Sequence, residues 1–315
     1  MSHTIDRAEP SSPSSAPRAG ARGRRWLVVL VVIAVIGIGG YLLQVALGPS
    51  SNRNPAILPP DAPVADEGAR LTWAPPALEA PEVINVTEDD TSLRLEDDQD
   101  YWIVLPDEPL VSDRGLTIKG GEDVVLIGGR IEAEDRALYL IDQTGTLHIE
   151  GLSLGGEDLR EGINLDQREG ATVQLQNISV DMVTGTADGH HADLLQTWAG
   201  PERLRIDGFT GTTGYQGFFL LPRQFGDEDP EEWDFRRVVL TGDEDAAYLL
   251  WTHDDAPWLS TTDVHVVPSE DKARRYVLEG DLDDVAVGPP PTTVQMPAGE
   301  PGVGYESPGY VGADD

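Results

Sequence analysis

Residues 124–132 read VVLIGGRIE, residues 147–155 LHIEGLSLG and residues 173–181 VQLQNISVD, with core-type residues at shared offsets of 0, 2, 5 and 7. The register is Val124, Leu126, Gly129 and Ile131, then Leu147, Ile149, Leu152 and Leu154, then Val173, Leu175, Ile178 and Val180. It returns at Leu204, Ile206, Phe209 and Gly211, at Trp233, Phe235, Val238 and Leu240, and at Leu259, Thr261, Val264 and Val266. A weaker copy follows at Gly280, Leu282, Val285 and Val287. Successive starts lie 23, 26, 31, 29, 26 and 21 residues apart, a repeat length of stacked, solenoid-like architectures.

Steps of 2 keep side chains on one face of a strand, and the step of 3 breaks that parity. Two short strands meeting at a corner satisfy both. The corner falls at offset 4, on Gly128, Gly151, Asn177, Gly208, Arg237, Asp263 and Asp284. All but Arg237 are Gly, Asn or Asp, the residues that enter the left-handed backbone region most readily. A second apolar stripe runs through Leu138 and Leu140, Ile163 and Leu165, Ala192 and Leu194, Phe218 and Leu220, Ala247 and Leu249, and Tyr276 and Leu278. Each repeat therefore supplies about three short strands, one coil of a parallel β-helix. A leucine-rich repeat would carry its own L-x-x-L-x-L-x-x-N signature, and a propeller blade about 40 residues per repeat; the chain has neither.

The stretch from Tyr101 to Glu132, YWIVLPDEPLVSDRGLTIKGGEDVVLIGGRIE, resembles the opening coils of right-handed parallel β-helix proteins of the pectate-lyase-like superfamily, where a capping strand leads into a V-x-L-x-G-G-x-I turn. The resemblance spans residues 83–290. It implies an all-β fold, a right-handed parallel β-helix forming a solenoid of about seven coils. Members of the superfamily include polysaccharide lyases, glycoside hydrolases, epimerases and non-catalytic adhesins, so the fold does not choose among them. The sequence holds no N-T-D with a following D-D and G-H, and no Arg-bearing lyase motif. No family catalytic residue carries over.

Trp26 to Gly48 is a run of 23 residues without a charge, enough to cross a bilayer as one helix. Arg18, Arg22, Arg24 and Arg25 precede it and only Arg53 follows closely, which puts the N-terminus in the cytoplasm and the rest outside. A cleaved signal peptide would have an apolar region of about 7–15 residues and a small-residue cut site. This run is longer, and Val45-Ala46-Leu47 is a poor match. The expected order is a basic cytoplasmic tail over 1–25, a transmembrane signal anchor over 26–48, a Pro-rich linker over 49–82, the β-helix over 83–290 and a flexible tail over 291–315. The protein is expected at the cell membrane, single-pass, with its β-helix extracytoplasmic.

With 22 Lys and Arg against 56 Asp and Glu, the formal charge is -34. Such a field repels nucleic acid and anionic lipid, and excludes a nucleic-acid partner. It can recruit calcium diffusely, although no EF-hand or nonapeptide calcium repeat occurs. There is no cysteine, so thiol chemistry and cysteine metal sites are excluded. Nothing in the sequence determines an oligomeric state.

The richest stretch chemically is 188–198, DGHHADLLQTW. With Ala192 and Leu194 inward, His191 and Asp193 share the outward face of one strand, and His190, Gln196 and Trp198 flank them. The expected column through Asp193 holds Tyr139, Asn164, Phe219 and Tyr248, with Asp166 and Gln167 before it and Tyr215, Arg223, Trp251 and His253 after it. A surface of His, Asp, Gln, Arg and aromatic residues suits sugar recognition, because rings cover the apolar side of a pyranose while polar groups take its hydroxyls. His148 and His265 read as ordinary surface residues, and Gln167 and Gln196 as partners in a turn ladder.

Two reactions can be written on this surface. In β-elimination or epimerisation, His191 or His190 takes the proton α to a uronate carboxyl, Arg223 offsets the carboxylate and Tyr215 is the acid. In hydrolysis, Asp166 and Asp193 form the carboxylate pair. Asn164, Gln196, Trp198, Trp251 and His253 would bind the polysaccharide in either case. The competing class is a non-catalytic β-helix that binds glycan or another surface partner.

Overall fold

In the computed structural model, which describes residues 69–186, 188–227, 229–253, 256–257, 259–269, 277–278 and 284–312, the chain turns where the spacing requires. Gly128, Gly151, Asn177, Gly208, Arg237 and Asp263 all take left-handed backbone, with φ of 71°, 65°, 51°, 74°, 50° and 55°. The basic tail, the apolar run 26–48 and residues 49–68 lie outside the described residues, as does Tyr276 of the second stripe. Among the described residues, no helix is long and apolar enough to cross a membrane.

The strands begin with β1 (Glu82–Asn85), β2 (Ser92–Arg94), β3 (Tyr101–Val104), β4 (Leu110–Val111), β5 (Leu116–Lys119) and β6 (Val124–Glu132). There follow β7 (Arg136–Ile141), β8 (Thr146–Gly155), β9 (Glu161–Asp166), β10 (Thr172–Val183), β11 (Asp193–Ala199) and β12 (Arg203–Thr213). The last are β13 (Gln216–Leu220), β14 (Glu232–Gly242), β15 (Tyr248–Thr252), β16 (Leu259–Val267), β17 (Val277–Leu278) and β18 (Val285–Val287). One sheet of ten strands runs β1-β3-β6-β8-β10-β12-β14-β16-β18 with β4 also on β6; the other, of eight, runs β17-β15-β13-β11-β9-β7-β5-β2. From β5 onward the chain alternates between the sheets and pairs in parallel with the strand one coil away. The fold is all-β, with parallel strands stacked in sheets as in a parallel β-solenoid.

The apolar stripe occupies the interior on both sides of each corner. Val124, Leu126, Leu147, Ile149, Leu152 and Leu154 are fully buried, and their counterparts stay buried through β14, while Leu259 is only partly buried and Val287 is exposed in the last coils. Phe209, Phe218 and Phe235 fill the later coils edge to face, at centroid distances of 4.9 and 5.8 Å, a favoured geometry for aromatic pairs. Burying each such side chain contributes about 1.5–3 kcal/mol.

The two ends of the domain depart from expectation. Residues 69–82, read as linker, and 291–312, read as a flexible tail, are packed, and parts of both lie across the outward side of the ten-stranded sheet. Leu71 pairs with the tail through Leu71 N to Gly309 O (2.9 Å) and Val311 N to Leu71 O (2.8 Å). Leu71 is fully buried and Ala298 nearly so. Polar side chains of the sheet receive the extended backbone: Asp207 accepts from Thr72 N at 2.8 Å, Gln176 accepts from Trp73 N at 2.9 Å, and Asn177 donates to Gly299 O at 2.8 Å. Pro and Gly composition identifies extended chain here, while those polar acceptors and donors decide that it docks.

Gly151 is where the tail comes closest. Its carbonyl accepts from Gly302 N at 2.9 Å, and a Cβ on it would strike the Tyr305 ring. This covering corrects the surface reading of His148, which is 0 % exposed beside the Tyr310 ring; His265, at 6 % exposed, is not a surface residue either. His148 Nε2 meets Glu150 at 3.0 Å, and its Nδ1 accepts from the Gln174 amide at 2.8 Å. Tyr305 and Tyr310 both donate to the Glu150 carboxylate, at 2.9 and 2.6 Å. Burial alone pushes the Glu150 carboxyl up, but the bonds from His148, Ser307 and Tyr310 outweigh it and hold the group below the ordinary glutamate value.

A carboxyl lowered in this way adds stability above its unfolded value of about 4.3, and the addition is lost as pH falls through the folded value. Glu150→Gln should therefore lower the unfolding free energy at pH 7 by about 2 kcal/mol, with the gap to wild type closing below roughly pH 4. Urea unfolding at the two pH values measures this. Limited proteolysis should show the tail becoming cleavable in the variant.

Candidate functional site

The outward face of the eight-stranded sheet carries two polar columns. The first is Arg136, Glu161, Asp193, Gln216 and Tyr248, in register across β7, β9, β11, β13 and β15. The second is Tyr139, Asn164, Gln196, Phe219 and Trp251 on the same strands. Pairing passes from Asp193↔Gln216 to Leu195↔Phe218, and Leu194 and Leu195 are both fully buried. The outward positions of β11 therefore fall three residues apart.

This corrects the expected column. Leu195 and Thr197, not Ala192 and Leu194, align with Ile163 and Leu165, so Gln196 stands where Asp193 was expected. In β15, Trp251 likewise takes the place of Tyr248. The consecutive leucines 194–195 and 249–250 made either register plausible by hydrophobicity, and a threonine concealed the right one. Thr197 is tolerated inside because its hydroxyl accepts from Leu221 N at 2.7 Å.

Amides run along the second column in one direction. Asn164 donates to Gln196 at 3.5 Å, and Gln196 donates to Gln224 at 3.1 Å. Aromatic rings flank them. On one side Tyr139 meets Trp198 edge-on at 5.3 Å, Trp198 meets Phe225 at 5.7 Å, and Arg136 lies over Tyr139 and Trp198 at 4.5 and 4.9 Å. On the other, Phe219 and Tyr248 contact Trp251 at 4.6 and 5.4 Å. Gln167 is absent from this face: it pairs with Gln143 at 2.7 Å in a buried turn ladder, so it is not a ladder partner of Gln196.

The proposed acids and bases are dispersed. Exposed His191 stands before β11, its ring 5.1 Å from that of Tyr215. His190, also exposed, accepts from Thr186 N at 2.8 Å through its carbonyl. Arg223 lies beyond the other end of β13 and pairs with Asp229. His253 follows β15, where its N–H bonds Leu220 O at 3.1 Å. His191 and Asp193 thus sit at the entrance of their strand, Arg223 and His253 past the exit of theirs, and the elimination set does not converge.

Asp166 is held by Arg168 at 2.8 Å and by the Tyr139 hydroxyl at 3.2 Å. Burial, and then the Asp166 charge, push that phenol up to about 12. Asp166 stands opposite Ala199, at the far end of β11 from Asp193. Six residues of strand separate the two positions by roughly 20 Å, too far for a hydrolytic pair.

The neighbour that Asp193 does have is Glu161, a residue the sequence reading passed over. Glu161 is ion-paired with Arg136 at 3.0 Å. Asp193 is 2 % exposed, and its Oδ1 has no hydrogen-bond partner. Burial, and secondarily the Glu161 charge, push the Asp193 carboxyl well above the ordinary range. Only the register shows this neighbour, because Glu161 is the strand partner of both Arg136 and Asp193. Among the described residues, no group of three or more His, Asp and Glu is arranged to hold a metal ion.

A raised carboxyl leaves stability intact below its unfolded value, about 3.9, and removes it as pH climbs toward the folded value. Asp193→Asn escapes this loss. Relative to wild type, it should gain about 1.4 kcal/mol for each pH unit between those two values, seen by comparing denaturant unfolding at pH 3.5 and pH 7.

Comparison with protein-family models, curated proteins and solved structures finds no match to this chain.

Proposed function

We propose that the protein binds an extended polysaccharide along the outward face of its eight-stranded sheet. In this reading the chain is a right-handed parallel β-helix of the pectate-lyase-like kind, carried outside the cell by a single membrane anchor over 26–48. One observation supports the binding face above all: two groups of aromatic rings, around Trp198 and around Trp251, flank the amides of Asn164, Gln196 and Gln224 on successive coils. Rings offer an apolar plane to a pyranose, and amides offer both donors and acceptors to its hydroxyls. The carboxylates of the face already have partners or lie buried, with Glu161 on Arg136 and Asp166 on Arg168. A neutral glycan therefore suits it better than a polyanion, which the overall charge of -34 would repel.

Trp198→Ala and Trp251→Ala should each weaken binding of the recognised polysaccharide by about tenfold, the loss of one ring contact of about 1.4 kcal/mol. Affinity electrophoresis in polysaccharide gels reads the change. Unaltered mobility in both variants would remove the aromatic face from the account. The anchor has its own check: the full chain should stay with membranes through high salt and carbonate washes, and deletion of 26–48 should release it.

A further inference from the structure

We propose that Glu161 and Asp193 are the nucleophile and the general acid of a glycoside hydrolase site at the edge of this face. The inference rests on the polysaccharide reading and adds a reaction to it. Register puts the two residues side by side: Glu161 on β9 faces Asp193 on β11, and adjacent strands stand about 4.8 Å apart. Retaining glycosidases hold their two carboxyls about 5–5.5 Å apart, which in-register neighbours on a sheet can supply.

The environments of the two groups differ as their roles require. Glu161 is ionic, fixed by Arg136 Nε at 3.0 Å, and its side chain is 21 % exposed. Asp193 has no cation beside it, and its Oδ1 is buried without a partner. Burial next to a second carboxylate keeps its proton on, the state a general acid needs. A second unpartnered acceptor, the Oδ1 of fully buried Asn164, lies one strand from Asp193 in the neighbouring column. Arg136 joins the parts, because the guanidinium that grips Glu161 also lies over the Tyr139 and Trp198 rings. Asp193 is recessed, and the His191 and Tyr215 rings meet at the same strand entrance.

The chemistry balances with water as the only co-reactant. Asp193 gives its proton to the glycosidic oxygen as the C1–O bond breaks. A Glu161 carboxylate oxygen bonds C1, and the shortened chain leaves as an alcohol. Asp193, now ionised, takes a proton from water; the hydroxide bonds C1, the C1–Glu161 ester bond breaks, and both carboxyls return to their starting states.

The test incubates the full-length chain in detergent with starch, xylan, mannan and mixed-linkage β-glucan, reading gel retention and new reducing ends separately. Retention with release of reducing ends is expected on at least one polysaccharide. Asp193→Asn and Glu161→Gln should each slow release about 1,000-fold while leaving retention unchanged. Azide should restore turnover to Glu161→Ala and yield a glycosyl azide, which a structural role for Glu161 would not produce. Retention with no reducing ends overturns the hydrolytic pair and leaves the binding face standing. Release that survives both substitutions also overturns the pair. Retention on none of the four overturns the neutral-glycan reading, and the pair falls with it.

Discussion

Six successive coils of this protein turn at one residue held in left-handed backbone. For a residue with a Cβ this conformation costs roughly 1–2 kcal/mol. Three corner positions, Gly128, Gly151 and Gly208, have no Cβ and avoid the cost. Two others are tied by side-chain bonds: Asn177 donates to the tail carbonyls of Ala298 and Gly299, and Arg237 binds Asp207 together with the carbonyls of Arg70 and Gln295. The corner column is thus also the rail on which the first described segment and the tail dock. Tyr305 and Gly302 fill the space over Gly151, and Pro297 covers Gly208. Removing Cβ atoms to permit the turn leaves room over the corners, and the tail residues Pro297, Gly302 and Tyr305 occupy it.

That docking explains how an outward face can hold buried charge. Glu150 and Asp207 point away from the core yet are fully buried, because residues 69–73 and the tail close over them. A buried carboxylate must be paired and hydrogen-bonded to be tolerable. Glu150 receives two phenols and an imidazole, and Asp207 receives Arg237 and the Thr72 amide. On the opposite sheet the column residues Asn164, Asp193, Gln196 and Gln216 are buried as well. There Asp193 answers burial by keeping its proton.

The repeat made the architecture readable, down to Arg237 as a left-handed corner despite its unsuitable side chain, because an offset pattern survives imperfect residues. Strand register in the second stripe was less readable. Hydrophobicity cannot choose between Leu194 and Leu195 when both are buried, and Thr197 does not look like a core residue. That one-step ambiguity displaced the expected site column by three residues, exchanging Asp193 for Gln196 and hiding Glu161. The packed ends were illegible for a different reason. Their docking depends on single polar side chains such as Gln176 and Asn177, more than 100 positions away in the chain, and local composition holds no trace of a partner that distant.

The clasp also changes how the molecule can be assembled. A bare solenoid interacts only between neighbouring coils and can form progressively as the chain emerges from the ribosome. Here Thr72 bonds a residue 135 positions later, and the carbonyl of Arg70 bonds one 167 positions later. Its tail partners, near residues 296 and 309, come later still. The first described segment therefore gains its partners in turn as later coils and then the tail are synthesised, and the clasp closes as a final, long-range step on coils that have already stacked.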